Sequence, residues 1–433
     1  MPQNRNLQKK TKKEIDSKLS SEDSLELNTE WTMNTNQSNI PDKIREKTEV
    51  EPSENNFVEE QLLAAIDLTS QKSQNGRIAA MKIISQLLSK KYLPSFAFNN
   101  LFTLQDCIVK GLKKGRSAEQ KEAAKLASVL CFQIGATDGI ETFYKELSPL
   151  FLTLVKSSDI SLEVREQCCL TLGVLCFIAL DAKDEIEQTM KILKNIYKTD
   201  DPNDSLQVSS LKCAALTSWC LLCTLLPARE VYESASSNIL TLLELLESED
   251  LNLRIEAGEA VALTYEMARQ FDDDICLVGN LENEAKDDVE SKLSKKLKQL
   301  ANDSQKSRAK KERKLQRSTF RDILKAIESG KSPNVHIKFG HETLVLNSWS
   351  QKKRYEIFCD VLSSGIDLLL VENEILREVF ELGLPLLKNS VLTKLSKRER
   401  HAVNAASLKM RTRSRQNNRA NKMIERCSVS DSD

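Results

Sequence analysis

The sequence predicts a mainly α-helical protein: an armadillo- or HEAT-like α-solenoid, a small α(+β) C-terminal domain and a basic C-terminal helix. Two observations predict this fold class. The 433-residue chain is 40% hydrophobic but only 5% aromatic, with just 12 Gly and 9 Pro, which favours helices packed through aliphatic side chains. In addition, one helical pattern recurs along the first two thirds of the chain.

The recurring pattern is an anchor residue followed, three and four positions later, by residues that are nearly all small. The anchors step by 43, 45, 45 and 44 residues, and they are Arg77, Gln120, Arg165, Ser210 and Arg254. Steps of this size are typical of helix pairs that stack into a solenoid. The fifth unit contains an interior Gly258, which costs roughly 1 kcal/mol relative to Ala in a helix. This glycine therefore predicts a close approach of another helix.

Composition and periodicity divide the chain into six predicted regions. Residues before the first repeat are polar and charged, with Trp31 as their one aromatic residue, so they cannot bury enough apolar surface to fold. The regions are a disordered N-terminal region (1–55), the helical repeat domain (56–281), a charged linker (282–317), the small C-terminal domain (318–385), the basic C-terminal helix (386–427) and a disordered end (428–433).

The small C-terminal domain is predicted to combine helices with a hairpin. Ser318 is a plausible N-cap for its first helix. Residues 335–339 alternate like a strand, and Gly340-His341 can turn the chain into a second strand at 343–346. Two further helices are predicted at 350–363 and 372–382, before Gly383 and Pro385.

The segment 394–426 has the composition of a polyanion-binding helix. It holds 11 Lys or Arg against 2 Glu and contains no aromatic residue, Gly or Pro. Without aromatic residues it cannot stack on bases, so we expect it to contact phosphates. The predicted polyanion- or ribosome-binding residues are Lys394, Lys397, Arg398, Arg400, Lys409, Arg411, Arg413, Arg415, Arg419, Lys422 and Arg426.

A second basic patch lies at the end of the predicted linker. Between 285 and 317 there are 12 Lys or Arg against 5 Asp or Glu. Such a segment is a solvated linker helix, a nuclear-localisation patch or a nucleic-acid contact. The candidate nuclear-localisation residues are Arg308, Lys310, Lys311, Arg313, Lys314 and Arg317.

The residues that could carry chemistry do not form a known catalytic or metal-binding motif. Cys220 and Cys223 form a CxxC pair, but they lie in an apolar helical pattern with no second pair at zinc-site spacing. The three histidines have no nucleophile or carboxylate at motif spacing, and no P-loop, dinucleotide-binding or kinase signature is present. We therefore predict no enzyme activity, no cofactor, no metal and no small-molecule substrate.

The chain also shows no secretory signal and no apolar run long enough to span a membrane. The N-terminal residues are polar, and the nearest apolar run, 213–226, is too short. We expect no membrane partner and a location in the cytoplasm and nucleus. In a reducing compartment, most of the 11 cysteines are expected to act as small buried hydrophobic residues.

Several stretches closely resemble the interferon-related developmental regulator family. In the C-terminal part they are 316–328, 337–340, 348–349, 373–383 and the Arg/Lys tail; in the repeats they are 111–115, 126–131 and 254–260. The resemblance covers about residues 57–426. It implies a helical repeat protein with a small C-terminal domain and a non-enzymatic role in controlling gene expression.

The resemblance implies two activities, which the sequence leaves open. The first is association with idle ribosomes, in which a C-terminal helix enters the channels used by mRNA and tRNA. On this hypothesis the basic helix binds ribosomal RNA and is linked to translational inactivity. The alternative is nuclear transcriptional co-regulation during differentiation, in which the solenoid groove binds protein partners such as co-repressor and histone deacetylase complexes.

Overall fold

A computed structural model describes four stretches of the chain: residues 54–199, 205–271, 283–302 and 309–385. The described part is a series of packed helices with one two-stranded sheet near its C-terminal end. The predicted regions 1–55 (apart from Glu54 and Asn55), 386–427 and 428–433 lie outside these residues. The predicted fold class, a helical solenoid with a small C-terminal domain, is confirmed.

The solenoid is built from helix pairs, each with an outer helix followed by an inner helix. Its helices are α1 (Glu54–Leu68), α2 (Gln74–Lys90), α3 (Pro94–Asn99), α4 (Leu101–Lys114), α5 (Ser117–Ile134), α6 (Asp138–Lys156), α7 (Leu162–Ala179), α8 (Lys183–Tyr197), α9 (Leu206–Cys223), α10 (Ala228–Leu245), α11 (Leu251–Arg269), α12 (Asn283–Asn302) and α13 (Lys310–Ser329). The inner helices are α2, α5, α7, α9, α11 and α13, and each packs on the next. Stacking buries the apolar surface that a single pair would expose.

The four central inner helices, α5, α7, α9 and α11, are buried around most of their circumference because neighbours cover both sides. The five sequence anchors all lie on inner helices, near the start of each. Thr171 donates its hydroxyl hydrogen bond to the carbonyl of Ala124 (2.9 Å), and Ser218 donates to the carbonyl of Cys169 (2.9 Å). These bonds satisfy polar groups inside the stack without charge.

Glycine sets the closest helix approach, as the sequence predicts for Gly258. A Cβ on Gly258 would lie 2.7 Å from a ring carbon of Phe320 and 2.8 Å from the terminal carbon of Ile323. A Cβ on Gly173 would lie 2.7 Å from the Cβ of Ser218. The prediction of a small-residue contact at Gly258 is therefore confirmed.

The predicted charged linker is corrected by the structure. Where it is described, this segment forms α12 and the first two turns of α13, which pack together as a sixth helix pair. Leu293, Leu297 and Leu300 are buried in the contact. They follow a helical stripe, but the many Lys residues between them obscure it in the sequence.

The predicted start of the C-terminal domain is also corrected. α13 begins at Lys310 with Ala309 at its N-cap position, so Ser318 is an interior residue and not a cap. The helix ends at Gly330, whose left-handed backbone (φ +64°) closes it as a C-cap. The predicted domain boundary at 317/318 therefore falls inside a helix.

The C-terminal module follows Gly330. It consists of the strands β1 (Val335–Phe339) and β2 (Glu342–Leu346) and the helices α14 (Trp349–Leu362), α15 (Ile366–Glu372) and α16 (Glu374–Val379). The strands pair in antiparallel register around Gly340 (φ +49°), which confirms the predicted hairpin. The single helix predicted at 372–382 is wrong, because the extended backbone of Asn373 (ψ 117°) separates α15 from α16.

The cysteines pack as the sequence predicts. The side chains of Cys131, Cys168, Cys169, Cys176 and the Cys220–Cys223 pair are buried, and Cys213 is half-buried. Burial raises the pKa of the Cys223 thiol to about 12, which keeps it protonated and unreactive. Among the described residues, no group of three His, Cys, Asp or Glu side chains is placed to hold a metal ion.

One described helix, α9, is long and apolar enough by composition to cross a membrane. Seventy-two per cent of its apolar window is buried inside the protein, as in a core helix. α9 contacts α7, α8 and α11, and Trp219 on it packs edge-on to Tyr197 at 6.3 Å. Its hydrophobicity is therefore used in solenoid packing.

Candidate polyanion interface and the occupied inner face

The C-terminal module covers the inner face of the solenoid, which is the face formed by the inner helices. α14 contacts α5, α9 and α11, and α15 contacts α2. The ring of Phe358 lies 5.0 Å from that of Phe132 and 5.7 Å from that of Phe177, both edge-on. The inner face described here is therefore filled by the chain's own helix.

Polar contacts fix α14 across this face. The Glu266 carboxylate accepts hydrogen bonds from the backbone N–H groups of Trp349 (2.7 Å) and Ser350 (3.0 Å) at the start of α14. A carboxylate is favourable there because the first N–H groups of a helix have no partner within it. One turn further on, Arg354 donates to the hydroxyl (2.9 Å) and carbonyl (2.8 Å) of Thr224.

A buried charge cluster lies between α11 and α14. Lys353, with a side chain only 5% exposed, donates to Glu256 (2.8 Å) and Glu259 (2.6 Å). Lys352 also donates to Glu259, at 2.6 Å, and to Glu356 at 2.8 Å. The cluster thus joins two Lys of the module to two Glu of α11, the inner helix of the fifth pair.

Burial and charge act in opposite directions on these groups. Burial raises the pKa of Glu256, one of whose oxygens (Oε1) has no hydrogen-bond partner among the described residues. Burial also opposes ionisation of Glu259, but the ammonium groups of Lys353 and Lys352 outweigh it and hold the pKa of Glu259 below its usual value. For Lys353, the two carboxylates outweigh burial and raise its pKa well above the usual value. Lys353 therefore stays charged inside the interface.

The other end of the module is anchored near the second repeat. Asn373 donates its amide hydrogen to the carbonyl of Phe132 at the end of α5 (2.8 Å), while its Oδ1 accepts from the N–H of Leu376 (3.0 Å) and so caps α16. The buried Arg377 forms a two-pronged ion pair with Glu342, with both N···O distances 2.9 Å. Arg377 also donates to the carbonyl of Leu384 (3.1 Å). The chain thus enters the basic segment from the side of the second repeat.

The predicted binding residues have different outcomes. Every predicted polyanion-binding residue from Lys394 to Arg426 lies outside the described residues, as does Arg308. The rest of the candidate nuclear-localisation patch lies in the first two turns of α13: Lys310, Lys311, Arg313, Lys314 and Arg317. His336 and His341 are exposed on the hairpin, and His401 lies outside the described part of the chain.

The inner-face cluster was not found by sequence reasoning. Its one signal is local: Glu256 and Glu259 lie among the small residues of the predicted buried stripe of α11, where carboxylates need a cation. The sequence does not indicate which cation that is, because Lys353 is 94 residues beyond Glu259.

The comparisons with known proteins identify the family. The family profile described as Interferon-related developmental regulator (IFRD) matches residues 30–328, and a second, Interferon-related protein conserved region, matches residues 373–422. The chain belongs to the interferon-related developmental regulator family. The resemblance seen in the sequence is thereby confirmed.

Individual relatives agree with the family profiles. The chain is 39% identical over 373 residues to human interferon-related developmental regulator 1, a match that covers 83% of this chain and 79% of the human protein. Its identity to the pig protein of the same name is 38%, covering 83% of this chain and 80% of the relative. Mouse interferon-related developmental regulator 2 is 35% identical, covering 84% of this chain and 83% of the relative.

Two of the profile limits, the end of the first and the start of the second, lie at helix ends. The first profile ends at Glu328, one residue before α13 ends, so it includes the sixth helix pair. The second begins at Asn373, the cap of α16, and continues through most of the basic segment. The basic segment of this chain therefore belongs to a region that the interferon-related developmental regulator family shares.

Proposed function

We propose that this chain is a non-enzymatic regulator of gene expression that binds ribosomes through ribosomal RNA and is associated with translational inactivity. The basic C-terminal segment (386–427) makes the contact. The composition of 394–426, with 11 basic and 2 acidic residues and no aromatic residue, carries the proposal. Such a segment suits phosphate contacts and shape recognition, not base stacking.

Two structural features support this assignment. The inner face, which is the usual partner surface of a solenoid, is filled by α14. The basic segment follows Pro385. Arg377 donates to the backbone carbonyl of Leu384, so the chain is held in place two residues before the segment begins. The solenoid and module then act as a rigid base for a charged element.

The test is co-sedimentation of the full chain with ribosomes in sucrose gradients. A segment variant replaces Lys397, Arg400, Arg411 and Arg415 with Gln. A surface control replaces four exposed lysines, Lys82, Lys90, Lys113 and Lys156, with Gln and removes the same charge. We expect the wild type and the control to co-sediment with single, non-translating ribosomes and the segment variant to remain at the top of the gradient. Equal sedimentation of all three proteins would contradict the proposal.

Binding should also depend strongly on salt. Each phosphate contact on a single strand contributes about 0.7 to the slope of log affinity against log salt concentration. We therefore expect the affinity of the wild type for RNA to fall steeply between roughly 50 and 200 mM salt, and that of the segment variant to change less. A flat salt response of the wild type would argue against phosphate contacts.

A second candidate function is nuclear transcriptional co-regulation through protein partners, including co-repressor or histone deacetylase complexes. Two exposed aromatic side chains at the first helix pairs favour a protein contact: Phe98 is 59% exposed and Phe102 is 80% exposed. Since the inner face is filled, such partners would use this outer surface. The protein would then act in the nucleus as well as the cytoplasm, with the α13 patch as the import signal.

The second candidate is tested by pull-down from nuclease-treated nuclear extract. We expect wild type to retain partners and a Phe98→Ser, Phe102→Ser variant to lose them, with Leu206→Ser, another exposed apolar residue, as the control. Recovery of partners only before nuclease treatment would contradict a protein-mediated role.

A further inference from the structure

The basic residues of α13 form a continuous stripe along one flank of the helix. Lys310, Arg313, Lys314, Arg317 and Arg321 are spaced by three or four residues, so they lie on one side of the helix. This basic stripe extends about 16 Å at 1.5 Å per residue. Lys310, Lys314 and Arg321 are exposed, while Arg313 and Arg317 are half-buried. The stripe is therefore a surface feature of a folded helix.

The stripe is held rigidly by its buried neighbours. Gln316, Phe320 and Ile323, on a different side of α13, are buried against the solenoid, and the Phe320 ring packs onto Gly258. Arg317 donates its Nε–H to the carbonyl of Arg313 (3.3 Å), which restrains its guanidinium along the helix. Ordering these side chains for a ligand therefore costs less entropy than ordering a free peptide.

The positive charges of the stripe are not neutralised inside the described structure. No carboxylate of the described residues lies within 4 Å of the charged nitrogens of Lys310, Lys314, Arg317 or Arg321. Other basic residues nearby behave differently, since Lys298 pairs with Glu328 and Lys325 with Asp322. In addition, the Nε of Arg313 is buried and has no hydrogen-bond partner among the residues that the structure describes. The stripe thus presents uncompensated donors and charge.

The chemistry of the stripe fits a phosphate backbone better than a membrane surface. A helix that binds an anionic membrane inserts its own apolar face among the lipids. Phe320, Ile323 and Ala326 of α13 are buried in the solenoid, and the exposed Leu315 is a single apolar residue, too little to anchor a helix in lipid. The Cβ atoms of neighbouring residues in the row lie about 5–6 Å apart, so their long side chains can reach successive phosphates along a strand.

The stripe lies on the last inner helix of the stack, and Asn373, which precedes the basic C-terminal segment, is bonded to the second inner helix. α13 is the last inner helix, whereas Asn373 donates to the carbonyl of Phe132 at the end of α5. Four helix-to-helix steps, from α13 through α11, α9 and α7 to α5, separate α13 from α5 by about 30–40 Å at 8–10 Å per step.

We infer that the basic stripe of α13 is a second RNA-phosphate binding site, so that the protein holds RNA at two separated points. The inference rests on the proposed function, because the stripe and the basic C-terminal segment bind the same RNA. Linking two weak contacts on one scaffold raises affinity through effective concentration and needs no new contact.

The experiment measures binding of the full chain to a fluorescent single-stranded RNA and to purified ribosomes across a salt series. The stripe variant replaces Lys310, Lys314, Arg317 and Arg321 with Gln. The surface control and the segment variant are those defined above, and each removes four charges. Circular dichroism on all four proteins verifies that the helices are intact, since Gln is a good helix former.

We expect the stripe variant to bind RNA at least tenfold more weakly than the surface control at about 100 mM salt. Its salt slope should fall by about 3, because four contacts each contribute about 0.7. The segment variant should retain a weaker affinity, and combining both sets of substitutions should abolish binding. Anionic phospholipid vesicles should not compete with the RNA.

The possible failures are distinguishable. If the stripe variant binds like the surface control while the segment variant loses binding, the second site is refuted and the proposed function stands. If the wild type binds neither RNA nor ribosomes, the proposed function itself fails, and the second site with it. Binding of the stripe to vesicles in preference to RNA would also overturn the inference.

Discussion

Contacts between successive inner helices differ in kind from contacts between the inner face and the C-terminal module. The first join residues of neighbouring repeats through small side chains, through uncharged hydrogen bonds such as Thr171 to Ala124 and Ser218 to Cys169, and through the ion pair of Arg77 with Glu119. The second use buried charges and join residues far apart in the chain, such as Lys353 to Glu259 and Asn373 to Phe132. The repeat interface follows a local rule, whereas the module interface depends on specific partners.

The largest expected effect breaks the charged interface. Lys353→Met removes the cation between two buried carboxylates, which leaves Glu256 without a cation and Glu259 with Lys352 alone, so the free energy of unfolding should fall by about 3–5 kcal/mol. Lys298→Met, at an exposed pair with Glu328, is the control and should cost no more than about 1 kcal/mol. Denaturant unfolding measures both. Equal losses would mean that the cluster contributes no more than a surface pair.

The same substitution should make stability depend on pH in a defined direction. In Lys353→Met the carboxyl pKa values of Glu256 and Glu259 rise, since the cation that lowers them is gone. A carboxyl group with a raised pKa destabilises the fold when ionised, and this penalty disappears as pH falls and the group binds a proton. The stability difference from wild type should therefore narrow from pH 7 to pH 5. A constant difference over this range would contradict the assignment of the loss to buried charge.

A smaller effect is expected at the repeat interface. Gly173→Ala places a Cβ 2.7 Å from the Cβ of Ser218 and 3.2 Å from its Cα, which is backbone and cannot move aside. Overpacking of this kind costs about 1–3 kcal/mol, more than the helix propensity gained. Gly76→Ala is the matched control, because its Cβ meets only the flexible end of Gln71. Thermal unfolding should show Gly173→Ala destabilised and Gly76→Ala unchanged or slightly stabilised; the reverse order would refute the close approach.

The smallest of these effects concerns the root of the basic C-terminal segment. Asn373→Ala removes the α16 cap and leaves the carbonyl of Phe132 without its partner, so we expect a loss of about 2 kcal/mol. Ser73→Ala, which removes only an exposed cap on α2, should cost about 0.5–1 kcal/mol. Calorimetry compares the two, and a loss for Asn373→Ala no larger than the cap alone would show that the bond to Phe132 contributes nothing.

The repeat architecture was predictable because it follows local periodicity. Anchors such as Arg165 and the interior Gly258 mark inner helices without knowledge of distant contacts. The sixth helix pair was missed because Leu293, Leu297 and Leu300 form a narrow stripe in a segment dominated by Lys. A strongly charged helix with one buried stripe has the same composition as a charged linker. Only the packing of α12 against α13 shows that this segment is part of the solenoid.

The occupied inner face was not predictable from the sequence. Glu256 and Glu259 indicate that a cation is needed, but several Lys and Arg in the chain could supply it. The choice of Lys353 follows from the path of the chain after Gly330, which directs α14 back across the solenoid. The predicted groove for protein partners is therefore a contact within the chain over the described residues.

Hydrogen exchange of the full chain with and without bound RNA tests the central claim most directly, namely that the module fills the inner face while basic elements bind RNA. The account predicts added protection at 310–321 and 394–426 when RNA binds, with no change in α14 or in the inner helices α5, α7 and α9. Loss of protection in α14 on binding, with new protection on the inner helices, would show that the module leaves the inner face to admit the partner and would contradict the account.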